Sequence, residues 1–256
     1  MDYGTKTKKE VYQYSTGEID MTMTTATDIQ EALEFLSTPE KRDFLPYFFK
    51  TGKGQYGEGD KFLGVVVPDT RKVAKAHKDL ADGELKKLLR NPYHECRLCA
   101  LLILVERYKK ADGKGKKTVY DFYLSQSKYV NNWDLVDLSS RYIVGEYLLD
   151  KEDRTILYQL AESECMWDQR IAVTSTYTFI KNRDYKDIIA LSEKLMHHPH
   201  DLMHKAIGWM LREMGKMDIQ PLYDFLDKHH KQMPRTMLRY SIEKLEPEER
   251  AHYMKK

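Results

Sequence analysis

The spacing of its helix starts limits this chain more than any other feature. Cys96, Trp133, Trp167 and Lys205 each stand near the start of a comparable amphipathic segment, at intervals of 37, 34 and 38 residues. A unit of that length holds a pair of helices, and one such pair cannot bury its apolar faces alone. Neighbouring pairs must stack and share a core. Helical periodicity covers most of the sequence, with segments expected at about 29–36, 40–50, 68–79, 82–90, 94–110, 116–126, 131–149, 151–162, 166–181, 184–196, 200–215, 218–230, 234–244 and 247–254. Their connections are short and carry Gly, Pro, Asn or Asp. Thr38-Pro39 reads as a cap followed by proline at the first helical position. Val65-Val66-Val67 is the best strand candidate, yet Pro68-Asp69-Thr70-Arg71 follows at once as another helix start.

These readings predict an all-α fold, a curved α-solenoid of HEAT-like, armadillo-type repeats. No tetratricopeptide consensus is present. The inner helices of such an array would line one concave wall carrying Arg97, Trp133, Asp137, Arg170, Lys205 and Trp209. Residues 1–26 are polar without a sustained period and read as a flexible tail, which leaves 27–256 as a single repeat domain. No apolar run approaches the roughly 18 to 20 residues of a membrane span, and the first twenty residues lack a signal-peptide core. A cytoplasmic protein with no membrane association is expected.

Cysteine and charge exclude further classes. Three cysteines in 256 residues are too few for a disulfide framework. Cys96 and Cys99 form a CxxC, but no second ligand pair follows and both lie in an apolar helical pattern, so packing is preferred to metal or redox chemistry. His200 and His204 share a helical face without the glutamate of a zinc-protease motif, and a loop with a helix cap is expected there; His229-His230 reads as solvated. The net charge of +2 hides a basic excess between Lys41 and Lys117, 19 Lys and Arg against 10 Asp and Glu. Such an excess suits a polyanion surface or merely a solvated helix face.

The chemistry concentrates in three blocks. Trp133 and Asp137 are i and i+4 on a helix, so an indole and a carboxylate share one face, a good receptor for positive charge. Lys205 and Trp209 repeat the spacing, with Arg212 just beyond, and these cations could hold phosphates. Between them lies Trp167-Asp168-Gln169-Arg170. Each residue also has an ordinary use: the tryptophans as core, Asp137 as a cap or salt bridge, Arg170 as a bridge between repeats. Trp167 reads as structural, and Gly208 as a point of close helix approach.

Trp133-Asp134-Leu135-Val136-Asp137, Trp167-Asp168-Gln169-Arg170-Ile171-Ala172 and Lys205-Ala206-Ile207-Gly208-Trp209-Met210-Leu211-Arg212-Glu213, in that order, resemble the HEAT-like DNA alkylation repair glycosylases of the AlkD type. Leu63-Gly64-Val65-Val66-Val67-Pro68, followed by Arg71, is similar to the family's amino-terminal stretch, and the resemblance runs from about Phe44 to Lys244. It implies excision of 3-methyladenine and 7-methylguanine types from duplex DNA, by a monomer without cofactor or metal and without flipping the base. It implies Asp137 as the catalytic carboxylate, with Trp133 and Trp209 beside the damaged nucleotide. Arg170 and Arg212 resemble DNA-contacting positions, and Lys205, Arg97 and Arg71 join them as candidate DNA contacts. The chain departs from some relatives in having Asn132 where a second tryptophan occurs and Val66 where a polar residue can stand.

The implied reaction is chemically sound. An N3- or N7-alkylated purine is cationic and leaves as a neutral base, so no general acid is required. Positive charge then moves onto the deoxyribose, where an ionised Asp137 and the indole faces would stabilise it. Asp137 could also orient the attacking water. Nearby cations predict a depressed Asp137 pKa. The alternatives are a non-catalytic module that binds damaged or branched DNA, and a protein-binding solenoid whose concave face would carry apolar anchors.

Overall fold

A computed structural model describes residues 24–255, all-α among them, and part of the expected tail lies outside this range. The first unit, up to Lys110, contains α1 (Ala26–Phe35), α2 (Pro39–Phe48), α3 (Val67–Ala76), α4 (Asp82–Leu89) and α5 (His94–Lys110). The second, from Ala111, contains α6 (Gly113–Ser125), a 3-10 turn (Ser127–Tyr129), α7 (Trp133–Asp137), a π-helical turn (Arg141–Gly145), α8 (Glu146–Leu148), α9 (Thr155–Ala161), α10 (Met166–Lys181), α11 (Lys186–Leu195), α12 (Asp201–Met217), α13 (Ile219–His229), α14 (Arg235–Ser241) and α15 (Pro247–Met254). The array is a helical-repeat solenoid, and the single domain expected over 27–256 contains both units.

Each unit is organised about a helix buried nearly all round. In the first unit α5 is covered by α3 and α4, and Cys96 to Val105 lie in the core. The two cysteines therefore pack, as the apolar pattern predicts, and burial pushes the Cys96 thiol up to about 12. In the second unit α10 packs on α7, the π-helical turn, α9 and α12, and α12 in turn packs on α14. A Cβ on Gly208 would lie 2.5 Å from Tyr240 Cβ and 2.6 Å from Met237 O, so glycine permits the approach of α12 to α14. Trp167 is buried in α10, as its structural reading requires.

Caps explain several boundaries. Thr25 and Asp28 form a capping box that starts α1 three residues before its periodic pattern, and Thr38 caps α2 with Pro39 at the first position. His200 Nδ1 accepts from Leu202 N at 3.1 Å at the head of α12, and His204 Nε2 is 2.6 Å from His198 O. The histidine run is a loop and cap, as expected. His229, by contrast, is not solvated but buried, its Nε2 2.9 Å from Glu193.

Two expectations are corrected. Val65–Val67 is not a strand: the backbone donors of Leu63 to Val65 meet a carboxylate instead of a neighbouring chain, and Val67 already opens α3. Glu95 accepts from Leu63 N at 2.9 Å, Gly64 N at 2.8 Å and Val65 N at 3.1 Å. Gly64 takes φ +94°, and a Cβ there would strike Arg42 N at 2.6 Å, so this latch needs glycine. The helix expected over 131–149 is broken after Asp137. Buried Ser139 hydrogen-bonds the Leu135 carbonyl and lies 2.9 Å from the Tyr123 hydroxyl, and the chain then widens into the π-helical turn.

Candidate active site

Asn132 is wholly buried and caps α7, its side-chain oxygen accepting from Trp133 N at 2.8 Å. The position that departs from relatives thus has a local structural use. The cap fixes the start of a five-residue helix whose ends are Trp133 and Asp137, both half-buried. Their i, i+4 spacing puts indole and carboxylate on one face.

Arg170, projecting from α10, reaches back to α7. Its Nε donates to Asp137 Oδ1 at 2.9 Å, its Nη2 to Oδ2 at 2.8 Å, and its Nη1 to Leu202 O at 2.6 Å. One guanidinium thus ties three helical segments, and its fork matches the carboxylate in the bidentate geometry that only arginine supplies. The Asp137 side chain keeps 16% of its surface open against 6% for Arg170, so it is the more exposed member of the pair.

The electrostatics differ from the expectation. Burial pushes the Asp137 carboxyl above its ordinary value; the charge and hydrogen bonds of Arg170 oppose this, Asp134 adds to the rise and Arg141 counters it. The depressed pKa expected from the count of nearby cations is corrected, because a sequence displays charges but not desolvation. Both oxygens nonetheless accept from the guanidinium, an arrangement suited to the ionised form.

Trp209 on α12 is half-buried, its ring centroid 6.1 Å from that of Tyr177 on α10. Lys205, one turn earlier, lies 3.3 Å from Asp201. Arg212, one turn later, is paired with Glu243. Trp133, Asp137, Arg170, Lys205, Trp209 and Arg212 therefore all belong to the second unit.

Arg71 and Arg97 belong to the first unit. Arg71 is half-buried on α3, where its charge acts on Glu106. Arg97 is not on a binding wall but 5% exposed, its guanidinium bonded to Asp60 and donating to Asn91 O at 3.0 Å and Pro92 O at 3.2 Å. It is committed to holding the two loops around Asp60 and Asn91 and is left out of the site.

Sequence reasoning missed Arg141. Its guanidinium carbon lies 4.6 Å from the ring centres of both Tyr142 and Tyr177 and 6.0 Å from that of Trp209. The available signal was its position four residues after Asp137. No group of metal-ligating side chains and no helix long and apolar enough to cross a membrane occurs among the described residues.

Comparison with known proteins agrees with this arrangement at the level of fold and family. The model of a family described as DNA alkylation repair enzyme matches residues 29–245. A solved structure described as a predicted DNA alkylation repair enzyme from Enterococcus faecalis superposes with a TM-score of 0.66 at 16% identity, covering 84% of this chain and 99% of that one. A search of curated proteins finds no match. With the family's match running through both units and all three tryptophan blocks, the chain belongs to the DNA alkylation repair enzyme family.

Proposed function

We propose that this protein is a DNA glycosylase that hydrolyses the N-glycosidic bond of cationic alkylated purines, of the 3-methyladenine and 7-methylguanine type, in duplex DNA. The observation that carries the reading is the Asp137 carboxylate, on a side chain left partly exposed and fixed by the Arg170 fork on the same face as Trp133. Trp209 stands on α12, which packs against the helix that supplies Arg170. The alkylated base departs neutral, so the protein need only stabilise charge appearing on the sugar. An ionised Asp137 does this, with the indole faces of Trp133 and Trp209 each contributing about 0.5 to 2 kcal/mol. Because the fork is preorganised, no reorganisation is needed as the bond stretches. Asp137 also accepts a proton from the attacking water.

DNA phosphates would meet Lys205 and Arg71, and Arg212 on leaving Glu243, in a monomer that acts without base flipping. Formation of the complex would then be steeply salt-dependent. One observation favours a second reading, a non-catalytic module for damaged or branched DNA: Arg170 already occupies both oxygens of Asp137. The two readings separate on release of 7-methylguanine and 3-methyladenine from methylated duplex DNA. The glycosylase reading expects release well above the spontaneous rate, and tight binding without release would establish the module instead.

A further inference from the structure

Arg141 stands where three rings meet. Its guanidinium carbon is 4.6 Å from Tyr142, 4.6 Å from Tyr177 and 6.0 Å from Trp209, and its Nη2 donates to the Tyr142 hydroxyl at 2.8 Å. Its buried Nε has no hydrogen-bond partner among the described residues, so the group is held mainly by ring faces. A planar guanidinium can stack on several rings together, which an ammonium cannot. Tyr177 receives a second cation, Lys181, whose Nζ is 5.1 Å from the ring centre. Lys181 is itself bound to Glu213 at 3.0 Å, so it is anchored on the α12 side of that ring.

The backbone of this turn is fixed without help from the Arg141 side chain. The Thr178 hydroxyl donates to Arg141 O at 2.8 Å, and a Cβ on Gly145 would lie 2.5 Å from Ser175 O. The π-helical turn is thereby clamped to α10 through main-chain contacts. Widening the helix here re-aims the side chain that follows Asp137 toward α10 and α12, a frequent use of π turns at functional sites.

We propose that Arg141 is a positioning residue of the site, tying the Tyr177–Trp209 wall to the helical turn that follows Asp137. The proposal rests on the glycosylase reading for its catalytic consequence, but not for its structural content. The guanidinium bridges the two sides of the site through ring faces, and its charge lies close enough to Asp137 to favour the carboxylate. Removing it leaves the turn folded and the indole less restrained. A misplaced stabilising group lowers the rate more than it lowers ground-state binding.

The test uses the full chain with Arg141→Gln, Arg141→Lys and Tyr177→Leu. In the free protein, the indole N–H resonances of Trp133, Trp167 and Trp209 are assigned by single Trp→Phe variants. Arg141→Gln is expected to shift the Trp209 resonance and leave that of Trp167 in place, with Arg141→Lys intermediate. In base release from methylated duplex DNA, Arg141→Gln should lower kcat about tenfold with KM changed less than about twofold. Tyr177→Leu should reproduce the loss, and the double variant should be no worse than either single one. An unmoved Trp209 resonance overturns the proposal whatever the kinetics, and a moved resonance with unchanged kcat overturns its catalytic consequence. If the wild type itself releases no base, the glycosylase reading falls, while the indole spectra still decide whether Arg141 orders this wall.

Discussion

Two of the buried arginine–aspartate pairs of this protein, one in each unit, are used for different ends. In the first unit the side chains of Arg97 and Asp60 are 6% and 7% exposed, with His94 Nδ1 3.1 Å from the same carboxylate and Arg97 Nη1 donating to two loop carbonyls. In the second unit Arg170 holds Asp137, but a half-buried tryptophan shares the helix face and the aspartate side chain stays partly exposed. Burial raises both carboxyls. At Asp60 the hydrogen bond from His94 and the charges of Arg97 and His94 outweigh it, and the pKa falls; at Asp137 they do not, and the pKa rises. A buried ion pair is therefore not in itself a sign of a site. What distinguishes the second pair is that its carboxylate is compensated incompletely, on a side chain that keeps more of its surface exposed.

The largest expected effect tests this division directly. Arg97→Ala and Arg170→Ala each strand a buried carboxylate and should cost about 3 to 5 kcal/mol in urea unfolding. Only Arg170→Ala should also abolish base release when assayed where both variants are folded. Equal loss of release in Arg97→Ala would erase the distinction. Glu95→Gln sharpens the structural half of the comparison. It keeps the size of the side chain but removes the charge that three backbone donors share and turns one of the two acceptor oxygens into an N–H donor facing them, and should cost about 2 kcal/mol, with kcat unchanged.

The smallest effect is a difference in sign. Asp60, whose folded pKa lies below its ordinary 3.8, contributes stability that is present above the unfolded value and lost as pH falls through the folded one. Asp137, whose folded pKa lies above 3.8, acts oppositely: stability declines as pH rises from the unfolded to the folded value and is level thereafter. Unfolding free energies of Asp60→Asn and Asp137→Asn, each subtracted from the wild type across acid pH, should slope in opposite directions. Parallel slopes would mean that the two carboxylates do not differ in this way.

The same contrast accounts for what the sequence made legible. The helices at 94–110, 166–181 and 247–254 have the ends that periodicity predicts, and at the last of them a Glu246–Glu249 capping box marks the start. The break after Asp137 was hidden, since it depends on Ser139 bonding back to Leu135 and on the π turn docking against α10. Arg170 and Asp137 could be named as candidates from the sequence because each lies in a recognisable block. Asp60, Arg97 and His94 become a cluster only when a loop folds onto α5, and Arg141 acquires its rings from two other elements. Long-range packing also decided the fate of His229 and the direction of the Asp137 shift, neither of which can be read from neighbouring residues.

In the proposed reaction Asp137 is an electrostatic catalyst and not only a partner for Arg170. Single-turnover release of 7-methylguanine and 3-methyladenine by Asp137→Asn, with DNA binding measured in parallel, tests it most directly. The amide keeps the size of the side chain and removes its charge. A loss of about 100-fold or more in the rate, with binding preserved, is expected. A rate equal to the wild type's would contradict it.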